Sequence, residues 1–217
     1  MDGGLFGALP PTEHQAVRAS MVRRSYRKGE TLFHEGDPGD QLFVLEKGRV
    51  AIRVTTTLGE VVTLTLLGPG DTFGEQALLD HGAHRTATAV ALEPVETRTL
   101  SKNGFEDLRR RHPAVDRLLV TVLAAQVRRL SRSLLEALYL PVDRRVLRRL
   151  ADLAGLYDQG SRPVVVPLRQ DDLASMVGTT RPTANRVLQQ LVDDGLITLG
   201  RGRIEIDDPA SLTARAG

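Results

Sequence analysis

The sequence predicts an α+β protein: an N-terminal antiparallel β-roll, a long dimerisation helix and a C-terminal winged helix-turn-helix domain. Three observations predict it. Between Val22 and Leu100, short β-type runs are broken by Gly29, Gly36, Gly39, Gly48, Gly59, Gly68 and Gly70, a turn rhythm of about ten residues that suits an antiparallel sandwich or barrel. From His112-Pro113 to Leu140 the apolar residues recur with a helical period. From Gln170 to Gly195 two short helical patterns meet at Gly178, and a hairpin pattern follows. The expected domains are therefore 1–112, 113–140 and 141–217.

Taken in order, residues 5–20 read as a short helical lead-in with Thr12 as its cap. The β runs are Thr31–Phe33, Leu42–Leu45, Val50–Val54, Val61–Leu66 and Thr86–Val90. The helix that follows carries Val115, Leu119, Val122, Leu123, Val127, Leu130, Leu134 and Leu138. Pro113 suits its first turn and Pro141 stops it. At 1.5 Å per residue such a helix is about 40 Å long. Its stripe is wider than one sheet face covers, which favours a coiled-coil-like dimer seam over packing against its own β domain. Leu140-Pro141-Val142-Asp143 is a hinge, with Asp143 expected to cap a helix bearing Val146, Leu147, Leu150, Leu153, Ala154 and Tyr157. Val164–Val166 is a short strand, and Ile197–Leu199 and Ile204–Ile206 flank Gly200-Arg201-Gly202-Arg203 as a hairpin wing.

Composition narrows the chemistry. The 217 residues contain no cysteine, which excludes disulfides, a thiolate nucleophile and cysteine-ligated metal clusters. Residues 1–140 hold 18 basic and 17 acidic side chains, and residues 141–217 hold 11 and 10. Each part is close to neutral, so a nucleic-acid surface must come from local segregation of charge. The start, Met1-Asp2-Gly3-Gly4, lacks the pattern of a signal peptide. No stretch approaches the roughly 18 apolar residues that span a bilayer. A cytoplasmic location and no membrane partner are expected.

Two motifs carry function. In the first, Phe73-Gly74-Glu75-Gln76-Ala77 is followed by Arg85-Thr86. A carboxylate can accept from a ribose hydroxyl, an arginine can fork onto phosphate oxygens, and exposed N–H groups beside a glycine complete a cradle for a sugar-phosphate ring. In the second, Gln170–Val177 is a first helix, Gly178 the turn, and Thr179 or Thr180 the cap of a second helix with Pro182 in its first turn. Leu173, Val177, Val187, Leu188 and Leu191 hold the pair together, leaving Arg181, Thr183, Asn185 and Arg186 outside for a major groove. With Gln170, Thr179 and Thr180 they form the expected DNA-binding set. No nucleophile is paired with an oriented base and no metal-ligand set is present, so an enzyme is not expected. His81 and His84, the conceivable haem ligands, read as solvated loop side chains.

Together these residues resemble the CRP/FNR family of bacterial transcription regulators over nearly the whole chain. The resemblance implies that Glu75 holds the ribose 2′-hydroxyl of a cyclic nucleotide, cAMP first, and that Arg85 and Thr86 hold its cyclic phosphate. Backbone groups of Gly74 and Gln76 would assist, next to Ala77, and Ile52, Leu64, Thr65 and Leu67 would line the pocket. It further implies a homodimer, a pseudo-palindromic double-stranded DNA operator, and RNA polymerase as a candidate partner. Two departures stand out. Where cAMP-responsive members carry Thr-Ser against the adenine, this chain has Leu130-Ser131. Where they carry a glutamate after the first recognition arginine, it has Pro182, which predicts an operator relaxed or altered at the base pair that glutamate reads. A regulator with a different effector or none, and a nucleotide-sensing module acting on a protein partner, are the alternatives.

Overall fold

The computed structural model describes residues 11–76, 84–112 and 114–216, with the side chains of several α3 residues, Leu119 and Val122 among them, outside the description. The chain forms two compact units, Met1–Arg129 and Leu130–Gly217. The first begins with helix α1 (Pro11–Ser20) and contains strands β1 (Val22–Tyr26), β2 (Thr31–Phe33), β3 (Gln41–Lys47), β4 (Val50–Thr55), β5 (Val61–Leu67), β6 (Thr72–Phe73), β7 (Thr88–Ala91) and β8 (Val95–Ser101). Helix α2 (Lys102–Arg111) follows, then the long helix α3 (Ala114–Tyr139), which continues into the second unit. The expected long helix, which started at 113, is thus present one residue shorter at its described end.

The strands form two antiparallel four-stranded sheets, β1-β8-β3-β6 and β2-β7-β4-β5. Their facing sides enclose a core of Phe43, Leu45, Val50, Leu67, Phe73, Ala89, Ala91 and Val95. Strand β3 is apolar without alternation because both its faces are covered. Phe43 and Leu45 enter that core, while Leu42 joins Leu100, Val17, Met21, Phe105, Leu108 and Val115 beneath the helices. Removing each such Leu or Phe from water contributes about 1.5–3 kcal/mol. The β3–β4 turn depends on Gly48, which has φ 83° and would place a Cβ 2.4 Å from the Pro94 carbonyl oxygen. Helix α2 is an addition to the expected elements. Ser101 Oγ accepts from Gly104 N at 3.2 Å at its start, and Phe105 and Leu108 are its buried face.

The second unit holds the end of α3, then α4 (Val142–Tyr157), β9 (Val164–Val166), α5 (Gln170–Met176), α6 (Arg181–Asp193), β10 (Ile197–Gly200), β11 (Arg203–Ile206) and α7 (Pro209–Ala216). The apolar positions expected on α4 are all buried. Its cap is a correction: Pro141 occupies the cap position and Asp143 lies in the first turn, where a carboxylate still faces the positive end of the helix. The hairpin pairs Gly200 with Arg203 around Arg201-Gly202, and β9 adds to β11 as a third antiparallel strand. Helix α7 was not anticipated. It buries Leu212 and Ala216, and Arg148 of α4 donates through Nε to the Ala216 carbonyl at 3.1 Å.

Candidate effector pocket and nucleic-acid interface

The folding of the first unit brings Gly74, Glu75, Gln76, Arg85 and Thr86 together. Gly74 follows β6 with φ 78°, a conformation that glycine adopts without steric cost. A Cβ at this position would lie 2.5 Å from Arg85 Nη1 and 3.1 Å from the Gln41 carbonyl oxygen. The space is used: Arg85 Nη1 donates to the Gly74 carbonyl at 3.1 Å. The backbone of Arg85 is fixed on the facing loop, its N–H donating to Asp37 O and its carbonyl accepting from Gly36 N, both at 2.8 Å. Thr86 Oγ1 donates to Gln76 Oε1 at 3.2 Å.

Both charged members are sunk into the protein, Glu75 with 9% and Arg85 with 6% of its surface exposed. Burial lowers the Arg85 pKa from its ordinary value, and Asp40, Asp37 and Glu75 act in the opposite sense. An arginine starts so far above neutrality that it stays a cation. Its Nε is buried and has no hydrogen-bond partner among the described residues, a donor that costs free energy until an acceptor reaches it. Beneath the guanidinium lie Phe33 and Phe43, with ring centroids 4.3 and 5.5 Å from Cζ. Sequence reading missed these aromatics because their role depends on two sheets meeting, and strand periodicity assigns them only to a core.

The other expected pocket residues are dispersed in environment. Ile52 and Thr65 are cross-strand partners on β4 and β5 and are half-buried. Leu67 is buried in the inter-sheet core, whereas Leu64 is 47% exposed. Leu130 and Ser131 stand exposed on the part of α3 that belongs to the second unit. Ala77 and His81 lie outside the described residues. His84 is exposed, with Nδ1 2.7 Å from the Gly36 carbonyl oxygen. Among the described residues no cluster of three or more His, Asp or Glu side chains could hold a metal ion. Among them, too, no helix is long and apolar enough to cross a membrane.

In the second unit α5 and α6 form the helix pair. Gly178 has φ 64° in the turn, and Thr179 N donates to Ala174 O at 3.0 Å. Thr180 takes the cap position of α6, but its side chain caps no backbone N–H; its Oγ1 lies 3.0 Å from Thr183 Oγ1. Ala184, Val187, Leu188 and Leu191 form the buried face. At 100° per residue, Pro182, Arg186 and Gln189 then point away from it, and all three are exposed. Arg181 is exposed at the helix start, its Nε 3.3 Å from Asp171 Oδ1. Asn185 is a correction to the expected outer set. It lies on the flank of the helix, half-buried, and its Oδ1 is shut away without a partner among the described residues. Gln170 and Thr183 are also half-buried. The exposed cations outside the expected set include Arg169 at the head of α5 and Arg201 at the hairpin tip. The signal for Arg201 was its position between two turn glycines.

Comparison with known proteins gives the same two parts. Residues 23–112 match the cyclic nucleotide-binding domain family, and residues 144–215 match the Crp-like helix-turn-helix domain family. The chain is 38% identical over 208 residues to the cyclic AMP receptor protein of Thermus thermophilus, covering 96% of this chain and 94% of that one. It is 30% identical over 216 residues to the CRP-like cAMP-activated global transcriptional regulator of Mycobacterium tuberculosis, covering 98% and 96%. Among solved structures it is similar to the catabolite activator protein of Thermus thermophilus, with 37% identity, a TM-score of 0.56, and 98% and 97% of the two chains covered. These relatives are regulators, not enzymes.

Proposed function

Because the chain belongs to the CRP/FNR family of transcription regulators, we propose that it works as a homodimer whose DNA binding is gated by a cyclic nucleotide, cAMP first. The observation that carries the effector reading is the buried pair Glu75 and Arg85, with an Arg85 Nε that lacks an acceptor among the described residues. A cyclic phosphate supplies that acceptor, and the ribose 2′-hydroxyl can donate to Glu75. Thr86 and the backbone beside Gly74 and Gln76 complete the cradle, with Ile52, Leu64, Thr65 and Leu67 as the proposed pocket lining and Ala77 next to it. The names of the cAMP-activated relatives agree with this choice of nucleotide.

The dimer reading rests on α3. Val120, Val127 and Leu134 recur every seven residues, with Leu123, Leu130 and Ala137 between them, the a and d spacing of a two-stranded seam. Val120, Val127, Leu130 and Leu134 are exposed in the single chain. A two-fold dimer places two recognition helices about 34 Å apart, one DNA turn, on a pseudo-palindromic operator. Arg181 and Arg186 read guanines in this arrangement, with Gln170, Thr179, Thr180, Thr183 and Asn185 in supporting contact or packing. We assign the domains as 1–112, 113–140 and 141–217, and place the protein in the cytoplasm, where RNA polymerase is within reach.

Leu130, which stands where the family resemblance implies a threonine for the adenine, favours a second reading, because a leucine offers a base no hydrogen bond: the same regulator with another effector, or with none. Calorimetric titration of the purified dimer with cAMP, and with cGMP for comparison, separates the two. The expected result is micromolar cAMP binding, weaker cGMP binding, and loss of both in Arg85→Ala. A folded dimer that gives no heat with either nucleotide would remove the cyclic-nucleotide reading and leave the second one.

A further inference from the structure

Arg85 does not wait for a ligand in open solvent. Its guanidinium carbon stands over an aromatic seat built where the two sheets meet. Phe43 of β3 and Phe73 of β6 are cross-strand partners in one sheet, stacked at 5.1 Å with an interplanar angle of 11°. Phe33 comes from β2 of the other sheet, with its centroid 5.4 Å from Phe43 and 6.0 Å from Phe73. Cζ of Arg85 stands 4.3 Å from the Phe33 centroid and 5.5 Å from that of Phe43. The Gly74 carbonyl accepts from Nη1 at 3.1 Å, while Nε is left buried without a partner among the described residues.

Each contact restricts a different freedom. A cation over a ring face is held by the ring quadrupole, more strongly where water is excluded. Contact with a flat ring also sets the plane of the guanidinium, and the plane decides where a planar fork can meet an oxyanion. The Gly74 carbonyl sets its rotation within that plane. An arginine ordered beforehand avoids the side-chain ordering cost that binding otherwise incurs.

We propose that Phe33 is a positioning residue for anion capture: its ring holds the Arg85 guanidinium in the plane that presents Nε to the phosphate of the effector. The proposal rests on the reading that this pocket takes a cyclic nucleotide. It adds that the aromatic character at position 33, and not merely its apolar volume, sets the affinity.

The test uses the full chain, with cAMP as probe, and the variants Phe33→Leu and Phe33→Tyr. Leucine keeps an apolar filling but has no quadrupole; tyrosine keeps the ring face. Phe33→Leu is expected to bind cAMP about fivefold more weakly, the loss of one cation–π contact, with Phe33→Tyr close to wild type. Thermal melts of each variant establish that the comparison is between folded proteins. A Phe33→Leu variant that binds like wild type, or equal losses in both variants, would overturn the proposal. A second readout needs no ligand. The Arg85 Nε–Hε proton, followed by NMR in the unliganded wild-type protein, should be ring-current shifted and slow to exchange. Should the wild type bind no cAMP, the nucleotide reading fails by itself and this signal judges the seat: a shifted, protected proton keeps it, and an unshifted, fast-exchanging one sinks it.

Discussion

At the scale of single residues, the pocket depends on atoms that are absent as much as on those present. Gly74 combines φ 78° with a close approach that a Cβ would fill, 2.5 Å from Arg85 Nη1. Gly160 has a similar φ of 82° but nothing within 4 Å. An L-residue in this left-handed region costs about 1–2 kcal/mol, so the two sites separate strain from displacement. Gly74→Ala and Gly160→Ala should both lower the melting temperature by several degrees, Gly74→Ala by more, because its methyl also meets Arg85 Nη1 and the Gln41 carbonyl oxygen. Only Gly74→Ala should also weaken nucleotide binding, because the added methyl pushes the guanidinium from its seat and from the Gly74 carbonyl. Calorimetry on the pair checks this, and equal nucleotide affinity in the two variants would show that the close approach at Gly74 is not needed for binding.

At the scale of elements, α3 poses a physical problem that the proposed dimer would solve. Leu134 is 60% exposed in the single chain and Val120, Val127 and Leu130 are similarly uncovered, an apolar stripe that water alone would not favour. Leu134→Glu should leave the fold of each chain intact, since the site is exposed within it, while placing two carboxylates across the proposed seam. Sedimentation should then find monomers, with unchanged helicity by circular dichroism and with operator binding lost. A variant that stays dimeric would place the interface elsewhere. The same helix shows what the sequence makes legible. Its helical apolar period, the glycine-punctuated strands and the glycine turn between α5 and α6 are local signals, and each was readable. Helices α2 and α7 are short and were passed over, although each carries a start signal: Ser101 capping α2, and Asp208-Pro209, where Asp208 Oδ1 accepts from Ser211 N at 3.0 Å, opening α7. The Gly74, Glu75 and Arg85 part of the site was legible because residue chemistry and spacing mark it. The Phe33 seat was not, because it arises from strands of two different sheets. The flank position of Asn185 was missed for a related reason: its burial follows from where Ala184 and Leu188 face, which helical period reveals only once the helix start is fixed at Arg181.

At the scale of the whole molecule, the proposed gating is a statement about coupling between two sites in separate units, and coupling is reciprocal. If cAMP raises operator affinity by some factor, operator DNA must raise cAMP affinity by the same factor. Typical coupling of about 1–3 kcal/mol corresponds to about 5–150-fold in either direction. A ligand shifts the equilibrium only through its difference in affinity for the two states, however tightly it binds. A candidate point at which such a difference can arise is the Leu140-Pro141 junction between α3 and α4, inside the second unit, where proline removes a backbone donor and fixes φ near −65°. Two titrations close the cycle: operator DNA into protein with and without saturating cAMP, and cAMP into protein with and without operator. Equal factors above about fivefold are expected from effector gating. Factors near one in both arms, with tight operator binding throughout, would mean that the junction already holds the DNA-binding geometry and that the nucleotide, though bound, does not control it.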